Sequence, residues 1–97
     1  MVTPNQKIRA NSIVVLREEF DDWGLLFDPD RAAAFGVNPI GADIWKLLDG
    51  HHSIGEIIEI IKNSYSEVPN TAESEIIEFI QALIELRLAV LVENDKQ

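Results

Sequence analysis

The sequence contains no cysteine, few basic residues and no long apolar run. Without cysteine, disulfide scaffolds, zinc ribbons and thiol catalysis are excluded. The longest apolar run, residues 88–92, is far shorter than the ~20 residues of a membrane-spanning helix. The polar start of the chain does not resemble a signal peptide, so we expect a cytoplasmic protein. The 17 acidic against 8 basic residues, a formal net charge of -9, disfavour nucleic acid as a partner.

The length and composition predict one folded domain. The 97 residues are 46% apolar, which is ordinary for a globular protein and argues against disorder along the whole chain. A single core becomes adequate at about 60 residues and domains typically hold about 100–150, so there is room for one domain. We predict a single domain over residues 1–97, with an ordered core at about 12–92 and a frayed acidic tail at 93–97.

Three short segments in the first half of the chain have the composition of strands. Residues 12–17 (SIVVLR) and 23–28 (WGLLFD) are rich in branched and large apolar side chains, and the acidic stretch between them predicts a bend. Residues 28–31 (DPDR) are typical of a hairpin turn, which leads into residues 32–37 (AAAFGV). A helix at 31–35 is the alternative for the last segment, but its glycine and the preceding turn favour a strand.

The second half of the chain has the spacing of three helices. Asn38 is the predicted N-cap of the first, with Pro39 at the first helical position, where a missing N–H costs nothing. Ser53 and Glu56 form a capping box at the start of the second. The third is predicted to run to about Leu86. Strands followed by helices indicate the α+β class, here a three-stranded antiparallel sheet followed by three helices.

Two surfaces are candidates for a binding site. The third predicted helix has an apolar arc of about 200°, which is roughly twice that of an ordinary surface helix and includes Phe79 and Leu83. The strand at 32–37 has no charge and no proline, so its edge can accept another strand. Packing within the domain is the alternative in both cases. A central helix also needs a wide apolar arc, and close helix packing also demands small residues on a strand.

The sequence offers little for catalysis. The only histidines, His51 and His52, are adjacent, so their side chains diverge, and no pattern of further metal ligands surrounds them. We interpret them as exposed loop residues. Asp28 and Asp30 flank a proline in a tight turn, where aspartate is favoured for structural reasons. We therefore expect no catalytic residue, no metal and no cofactor in a protein that is not an enzyme.

Motifs across the middle of the chain are similar to those of a known family. They are Leu26-Phe27-Asp28-Pro29, Ala34-Phe35-Gly36-Val37-Asn38, Gly41, Ile44-Trp45 and Leu47-Leu48-Asp49-Gly50, followed by Ser53, Glu56-Ile57-Ile58, Phe79-Ile80 and Leu83. Spread over residues 13–90, this pattern resembles the PqqD-like family of small peptide chaperones. These are also called recognition elements for ribosomally made, post-translationally modified peptides. The block at 38–50 is the most specific part.

The resemblance implies a winged helix-turn-helix-like fold and a role in peptide binding. In this family the leader segment of a precursor peptide adds as a strand to the third strand and lies beside the third helix. The chaperone then presents the peptide to a modifying enzyme, commonly a radical S-adenosylmethionine (radical SAM) enzyme. Carried over by position, the peptide-binding residues are Ala33, Ala34, Phe35, Gly36, Val37, Ile76, Phe79, Ile80, Leu83 and Arg87.

Two features depart from the family pattern. Arg87 stands where the family has a glycine after the last helix, so the helix is expected to run on and to blur the far end of the groove. The segment before the second strand lacks the glutamine-bearing pattern of pyrroloquinoline quinone pathway members. Residues 17–23 (REEFDDW) are instead similar to chaperones of the SynChlorMet radical-enzyme cassette.

Two other functions compete with peptide presentation. A helix-turn-helix topology also suggests DNA binding, but residues 71–88 carry one basic side chain against four acidic ones. A generic interaction module or homodimer would bury the same apolar edge against another protein surface. We therefore expect a non-catalytic peptide chaperone, monomeric or weakly dimeric, that binds neither nucleic acid nor membrane. Its implied partners are the precursor peptide and a radical SAM or other peptide-modifying enzyme.

Overall fold

The computed structural model describes residues 2–92 of the chain. This part folds into two small sheets and three α-helices. The strands are β1 (Lys7–Ala10), β2 (Val15–Glu18), β3 (Gly24–Asp28), β4 (Ala33–Val37), β5 (Asp49–Ser53) and β6 (Ala89–Val92). The helices are α1 (Pro39–Lys46), α2 (Ile54–Ser64) and α3 (Ala72–Glu85). The predicted frayed tail at 93–97 lies outside the described residues.

The first sheet confirms the predicted fold class. Strands β2, β3 and β4 form an antiparallel meander in that order, and α1, α2 and α3 follow them in the chain. Leu16, Leu26 and Phe35 stand opposite one another across the three strands and face the core. The hairpin predicted at residues 28–31 joins β3 to β4, and the segment predicted as a strand at 32–37 forms a strand over 33–37 and not a helix.

A second sheet was missed by the sequence analysis. Strand β1 lies between β5 and β6 and pairs antiparallel with both. The side chain of Ile8 in β1 is completely buried, so residues 2–11 add to the core predicted at about 12–92. His51 and His52 lie in β5 and not in a loop, which corrects their predicted setting.

The starts of the first two helices follow the predicted capping. The Gly41 N–H donates to Asn38 Oδ1 at 2.7 Å, and Pro39 occupies the first turn of α1. At the start of α2, the Glu56 N–H donates to Ser53 Oγ while the Ser53 N–H donates to Glu56 Oε1, which completes the capping box. No helix within residues 2–92 has the length and apolar composition needed to cross a membrane.

Much of the wide apolar arc of α3 is used inside the domain. Ile76, Ile80 and Leu83 are buried, and residues on both flanks of this stripe pack against the core while remaining partly exposed. The partly buried flanking residues are Ile77, Phe79 and Ile84. The helix is therefore a central element of the fold, which agrees with the alternative that its wide apolar arc serves packing within the domain. Phe79 is the flank residue that faces the candidate site.

The expectation that α3 runs on past Arg87 is wrong. The helix ends at Glu85, and Arg87 has a left-handed backbone with φ of 65°. The Arg87 N–H donates to the Ile84 carbonyl at 3.0 Å and the Leu88 N–H donates to the Leu83 carbonyl at 2.9 Å. These two bonds form a Schellman motif. Burial of Leu88 holds this conformation in place without the usual glycine.

Candidate functional site

The free edge of β4 offers unpaired backbone groups. The Glu19 N–H donates to the Trp23 carbonyl oxygen at 2.6 Å, one position beyond the Glu18–Gly24 pair of the β2–β3 ladder. Hydrogen-bonded and non-hydrogen-bonded pairs alternate along an antiparallel ladder. The Glu18–Gly24 pair is therefore of the non-bonded kind, and Gly24 uses its backbone groups toward β4.

The same alternation identifies which residues of β4 bond to β3. Gly24, Leu26 and Asp28 pair with Val37, Phe35 and Ala33 respectively. The N–H and C=O groups of these three residues of β4 therefore form hydrogen bonds with β3. Ala34 and Gly36 point theirs away from the sheet, where no strand of the described chain pairs with them. Two donors and two acceptors are thus available to an added strand.

Two contacts show that α3 runs antiparallel to β4. At the end of β4, a Cβ atom placed on Gly41 would lie 3.2 Å from Phe79 Cζ and 3.3 Å from Val37 Cβ, so Phe79 and Val37 both pack against Gly41 of α1. At the start of β4, the Arg31 guanidinium in the turn donates to the Leu86 carbonyl oxygen at the end of α3. Phe79 therefore lies toward the end of β4 and Leu86 toward its start, and we call the space between α3 and β4 the groove.

An apolar cleft of about 160 Å³ adjoins the end of β4. Its apolar lining comes from α1, the end of α2, the loop between α2 and α3, and the first half of α3. Lining residues include Ile40, Ile44, Ile61, Val68, Ile76 and Phe79. Asn38, which follows β4 directly, also lines the cleft, so the cleft lies next to the end of the strand. This cleft was not predicted, because its walls come from two segments that are separated in the chain, residues 38–44 and 61–79.

The polar part of the cleft is acidic. Glu67 and Glu75 line it, and no basic side chain does. Tyr65 also lines it, and its hydroxyl donates to Asp43 Oδ2 at 2.5 Å. This hydrogen bond, together with burial, raises the pKa of Tyr65 to about 12. The phenol therefore remains a neutral hydrogen-bond donor at physiological pH.

The predicted site residues lie in four places. Ala34 and Gly36 are exposed on the edge, with Ala33 and Phe35 half-buried and Val37 buried beside them. Ile76 and Phe79 line the cleft. Ile80 and Leu83 are buried in the core, and Arg87 is exposed two residues after the end of α3. Whether all ten contact a peptide stays a prediction.

Arg31 is a structural residue of this site that the sequence analysis did not single out. Its Nε lies 2.7 Å from Asp28 Oδ2, and Asp28 is almost completely buried. The Arg31 hydrogen bond holds the pKa of Asp28 below its usual value, although desolvation by burial acts in the opposite direction. The i, i+3 spacing of the two residues was the available signal, but the carbonyl of Leu86 lies 55 positions away.

The histidines have a structural setting in the described chain. His52 Nδ1 lies 3.0 Å from Asp49 Oδ1, which also accepts hydrogen bonds from the N–H groups of His51 and His52. These bonds, led by that of the His51 N–H, lower the pKa of Asp49 to about 2. No cluster of three or more metal-ligating side chains occurs among the residues searched within 2–92.

Comparison with known proteins identifies the family. The family model described as coenzyme PQQ synthesis protein D (PqqD) matches residues 24–89, which include β3, β4 and all three helices. The chain belongs to the PqqD family. The resemblance carried by the motifs is therefore confirmed, while membership of the SynChlorMet subgroup stays a prediction. No curated protein matches the sequence.

Two solved structures are similar to this PqqD-family chain. TbiB1 in complex with the TbiA(beta) leader peptide is 27% identical, with a TM-score of 0.68 over 91% of this chain and 99% of that chain. The heterocyclase TruD is 14% identical, with a TM-score of 0.64 over 95% of this chain but 12% of that chain. The TruD likeness shows the fold alone, which recurs there as a small part of a larger protein.

Proposed function

We propose that this PqqD-family chain binds the leader segment of a ribosomally made precursor peptide and presents it to a peptide-modifying enzyme. The observation that carries the proposal is the free edge at Ala34 and Gly36 with α3 alongside it. A leader peptide as the ligand is supported by TbiB1, whose solved complex contains one. In this proposal the role of the chain is recognition of the peptide and not catalysis.

The geometry supports binding by strand addition. A peptide strand that pairs with β4 would satisfy the N–H and C=O groups of Ala34 and Gly36, and these backbone bonds supply affinity for an extended peptide. Side chains of the peptide alternate between the two faces of the sheet. Those on the inner face would lie toward α3, and an apolar one near the end of β4 could enter the cleft at Phe79.

A radical SAM enzyme as the partner belongs to the same proposal. The chain has no cysteine with which to hold an iron–sulfur cluster, so any such chemistry would reside in the partner. An acidic chaperone with a formal net charge of -9 is suited to a basic enzyme surface. The absence of nucleic-acid binding and the cytoplasmic location are further parts of this proposal.

A pair of substitutions at Gly36 tests strand addition. Gly36→Pro removes the outward N–H and leaves the β3–β4 hydrogen bonds of Phe35 and Val37 in place. Gly36→Ala is the matched control, because a Cβ atom there meets nothing within 4 Å. The probe is a fluorescein-labelled synthetic leader peptide of a candidate precursor, chosen from short reading frames near the gene, and its anisotropy gives Kd. We expect Gly36→Pro to raise Kd by about tenfold or more, equivalent to ~1.4 kcal/mol, and Gly36→Ala to leave it within about twofold.

Two further measurements make the result decisive. Far-UV circular dichroism must show that both variants are folded, and a folded Gly36→Pro protein with unchanged Kd would contradict strand addition. Amide hydrogen exchange should show fast exchange at Ala34 and Gly36 in the free protein and protection after peptide addition. Light scattering separates the rival homodimer, which would protect the same amides without peptide.

A further inference from the structure

The outer face of the β2–β3–β4 sheet is unusually apolar. Val15, Phe27 and Ala34 stand opposite one another across the three strands, on the face away from the core. Val15 is 51% exposed and Phe27 is 40% exposed. The neighbouring row includes Leu25 and Gly36, and a Cβ atom on Gly36 would meet nothing within 4 Å. This face is therefore open to solvent in the described chain.

Trp23 extends the same face. The bond from the Glu19 N–H to the Trp23 carbonyl continues the β2–β3 ladder by one pair, so alternation places Trp23 on the side of Leu25 and Phe27. Its side chain is 52% exposed. We call this set of residues the outer patch: Val15, Trp23, Leu25, Phe27 and Ala34. The outward positions of a one-sided antiparallel sheet are normally polar, and contiguous exposed apolar patches mark interaction surfaces.

The charges around the outer patch indicate the kind of protein that covers it. Asp21 and Asp22 lie in the β2–β3 connection next to Trp23, and both are exposed. Asp30 is exposed at the opposite end, in the β3–β4 turn. Arg17 is the basic residue on this face, and it lies 3.6 Å from Glu19. A second copy of this acidic surface would be repelled, so a partner with an apolar centre and a basic rim fits better.

The outer patch is continuous with the proposed peptide site. Ala34 and Gly36 direct their backbone groups to the free edge, and their outward side is part of the exposed face. A peptide added to β4 becomes the fourth strand of this sheet, so every second peptide side chain would lie on the outer face next to Ala34 and Gly36. Because Ala34 and Gly36 are small, the peptide side chains and Phe27 can form one uninterrupted surface.

We propose that the modifying enzyme docks on the outer patch through an apolar, basic-rimmed surface and contacts the outward side chains of the bound leader at the same time. This inference rests on the proposed function. Its consequence is cooperative assembly, because the loaded chaperone presents a larger matching surface than the empty one. The enzyme therefore binds the loaded chaperone more tightly, and an increase in ionic strength weakens the contact through its charged rim.

Phe27→Lys tests the outer patch separately from peptide binding. The substitution lies on the outer face. The backbone groups of Phe27 bond to β2, so the free edge of β4 is left unchanged. The matched control is Leu91→Lys, since Leu91 is 41% exposed in β6 of the other sheet. The probe is a purified candidate modifying enzyme, chosen from the genes near that of the chaperone and titrated with and without the leader. We expect Phe27→Lys to weaken enzyme binding about tenfold or more, and Leu91→Lys to leave it within about twofold.

Labelling with 5-fluorotryptophan gives a second measurement. The chain has two tryptophans, and Trp45 is buried while Trp23 is in the outer patch. On addition of enzyme we expect the fluorine resonance of Trp23 to shift or broaden while that of Trp45 stays unchanged.

Normal leader affinity in Phe27→Lys with lost enzyme binding supports the inference. Unchanged enzyme binding in Phe27→Lys, or an equal loss of enzyme binding in Leu91→Lys, overturns docking on the outer patch. An enzyme Kd that is the same with and without the leader overturns the joint contact with the bound leader. An unchanged leader Kd in folded Gly36→Pro would instead contradict strand addition, and enzyme docking on the outer patch is tested separately by Phe27→Lys.

Discussion

Asp28 and Arg31 form an ion pair that joins the β3–β4 turn to the end of α3. Arg31 Nε lies 2.7 Å from Asp28 Oδ2, and the same guanidinium donates to the Leu86 carbonyl oxygen. The Asp28 carboxylate also accepts the Asp30 N–H at 3.0 Å, which fixes the turn. Because one guanidinium contacts both elements, it holds β4 and α3 at the spacing of the proposed groove.

Replacing Asp28 should destabilise the fold in a pH-dependent way. The Arg31 hydrogen bond lowers the pKa of Asp28 from 3.8, so the charged carboxylate stabilises the fold at neutral pH. That stabilisation is lost as the pH falls below about 3.8, through the folded-state pKa. We expect Asp28→Asn to lower Tm by several degrees at pH 7 and to flatten the fall of Tm in acid, measured by circular dichroism. Asp30→Asn, at an exposed neighbour, is the control, and equal effects of the two substitutions would contradict the prediction.

Tyr65 can be titrated without interference, because it is the chain's only tyrosine. The hydrogen bond to Asp43 raises its pKa from 10.0 to about 12, so this contact stabilises the fold fully below pH 10 and is lost as the pH rises toward 12. Phenolate absorbance should therefore rise near pH 12 in the folded protein and at a clearly lower pH in Asp43→Asn, where burial still raises the pKa of Tyr65 but the carboxylate no longer does. Circular dichroism at each pH shows whether the protein is still folded. A midpoint near 10 in folded wild type would show that the hydrogen bond does not form.

Local sequence signals were sufficient for the elements nearest the site. The proline-containing turn at residues 28–31 separates β3 from β4, and Asn38-Pro39 marks the start of α1, so each boundary is encoded within a few residues. The uncharged edge of β4 could be predicted in the same way. Which of its backbone groups are free depends on the pairing with β3, and this required the Glu19–Trp23 hydrogen bond.

The second sheet could not be predicted by the same reasoning. Strands β1 (KIRA) and β5 (DGHHS) are mostly polar, and of the four residues of β1 only Ile8 is fully buried. Their pairing joins Lys7 to Ser53 and to Val92, so the stabilising contacts are distant in the chain. The cleft at Phe79 also depends on contacts between residues that are distant in the chain, because its walls include residues of both α1 and α3.

Arg87→Gly should stabilise the protein. Arg87 has a φ of 65°, a left-handed conformation that costs a residue with a Cβ atom about 1–2 kcal/mol. Glycine removes that strain, although its greater freedom in the unfolded state offsets part of the gain. We expect the free energy of unfolding to rise by about 0.5–1 kcal/mol in urea denaturation. Arg87→Ala keeps the Cβ atom and removes the charge. An equal rise in the free energy of unfolding in that control would show that the effect comes from the charge and not from the backbone conformation.

Gly41→Ala should destabilise the junction of α1, β4 and α3. The added Cβ atom would lie 3.2 Å from Phe79 Cζ and 3.3 Å from both Asn38 Oδ1 and Val37 Cβ. Such crowding typically costs about 1–3 kcal/mol, which exceeds the helix-propensity gain of up to about 1 kcal/mol. We therefore expect a net loss of about 1 kcal/mol in urea denaturation.

A matched glycine and a double-mutant cycle separate crowding at Gly41 from helix propensity. Gly55 lies in the first turn of α2, and the nearest atom to a Cβ atom there is the Pro4 carbonyl oxygen at 3.5 Å, an ordinary contact. Gly55→Ala should therefore be neutral or stabilising. Phe79→Leu removes the ring atom that the Cβ atom added at position 41 would meet, so Gly41→Ala should cost less in that background than in wild type. If Gly41→Ala costs the same in both backgrounds, Phe79 does not press on α1, and the proposed cleft is wider at this end than the contact distances imply.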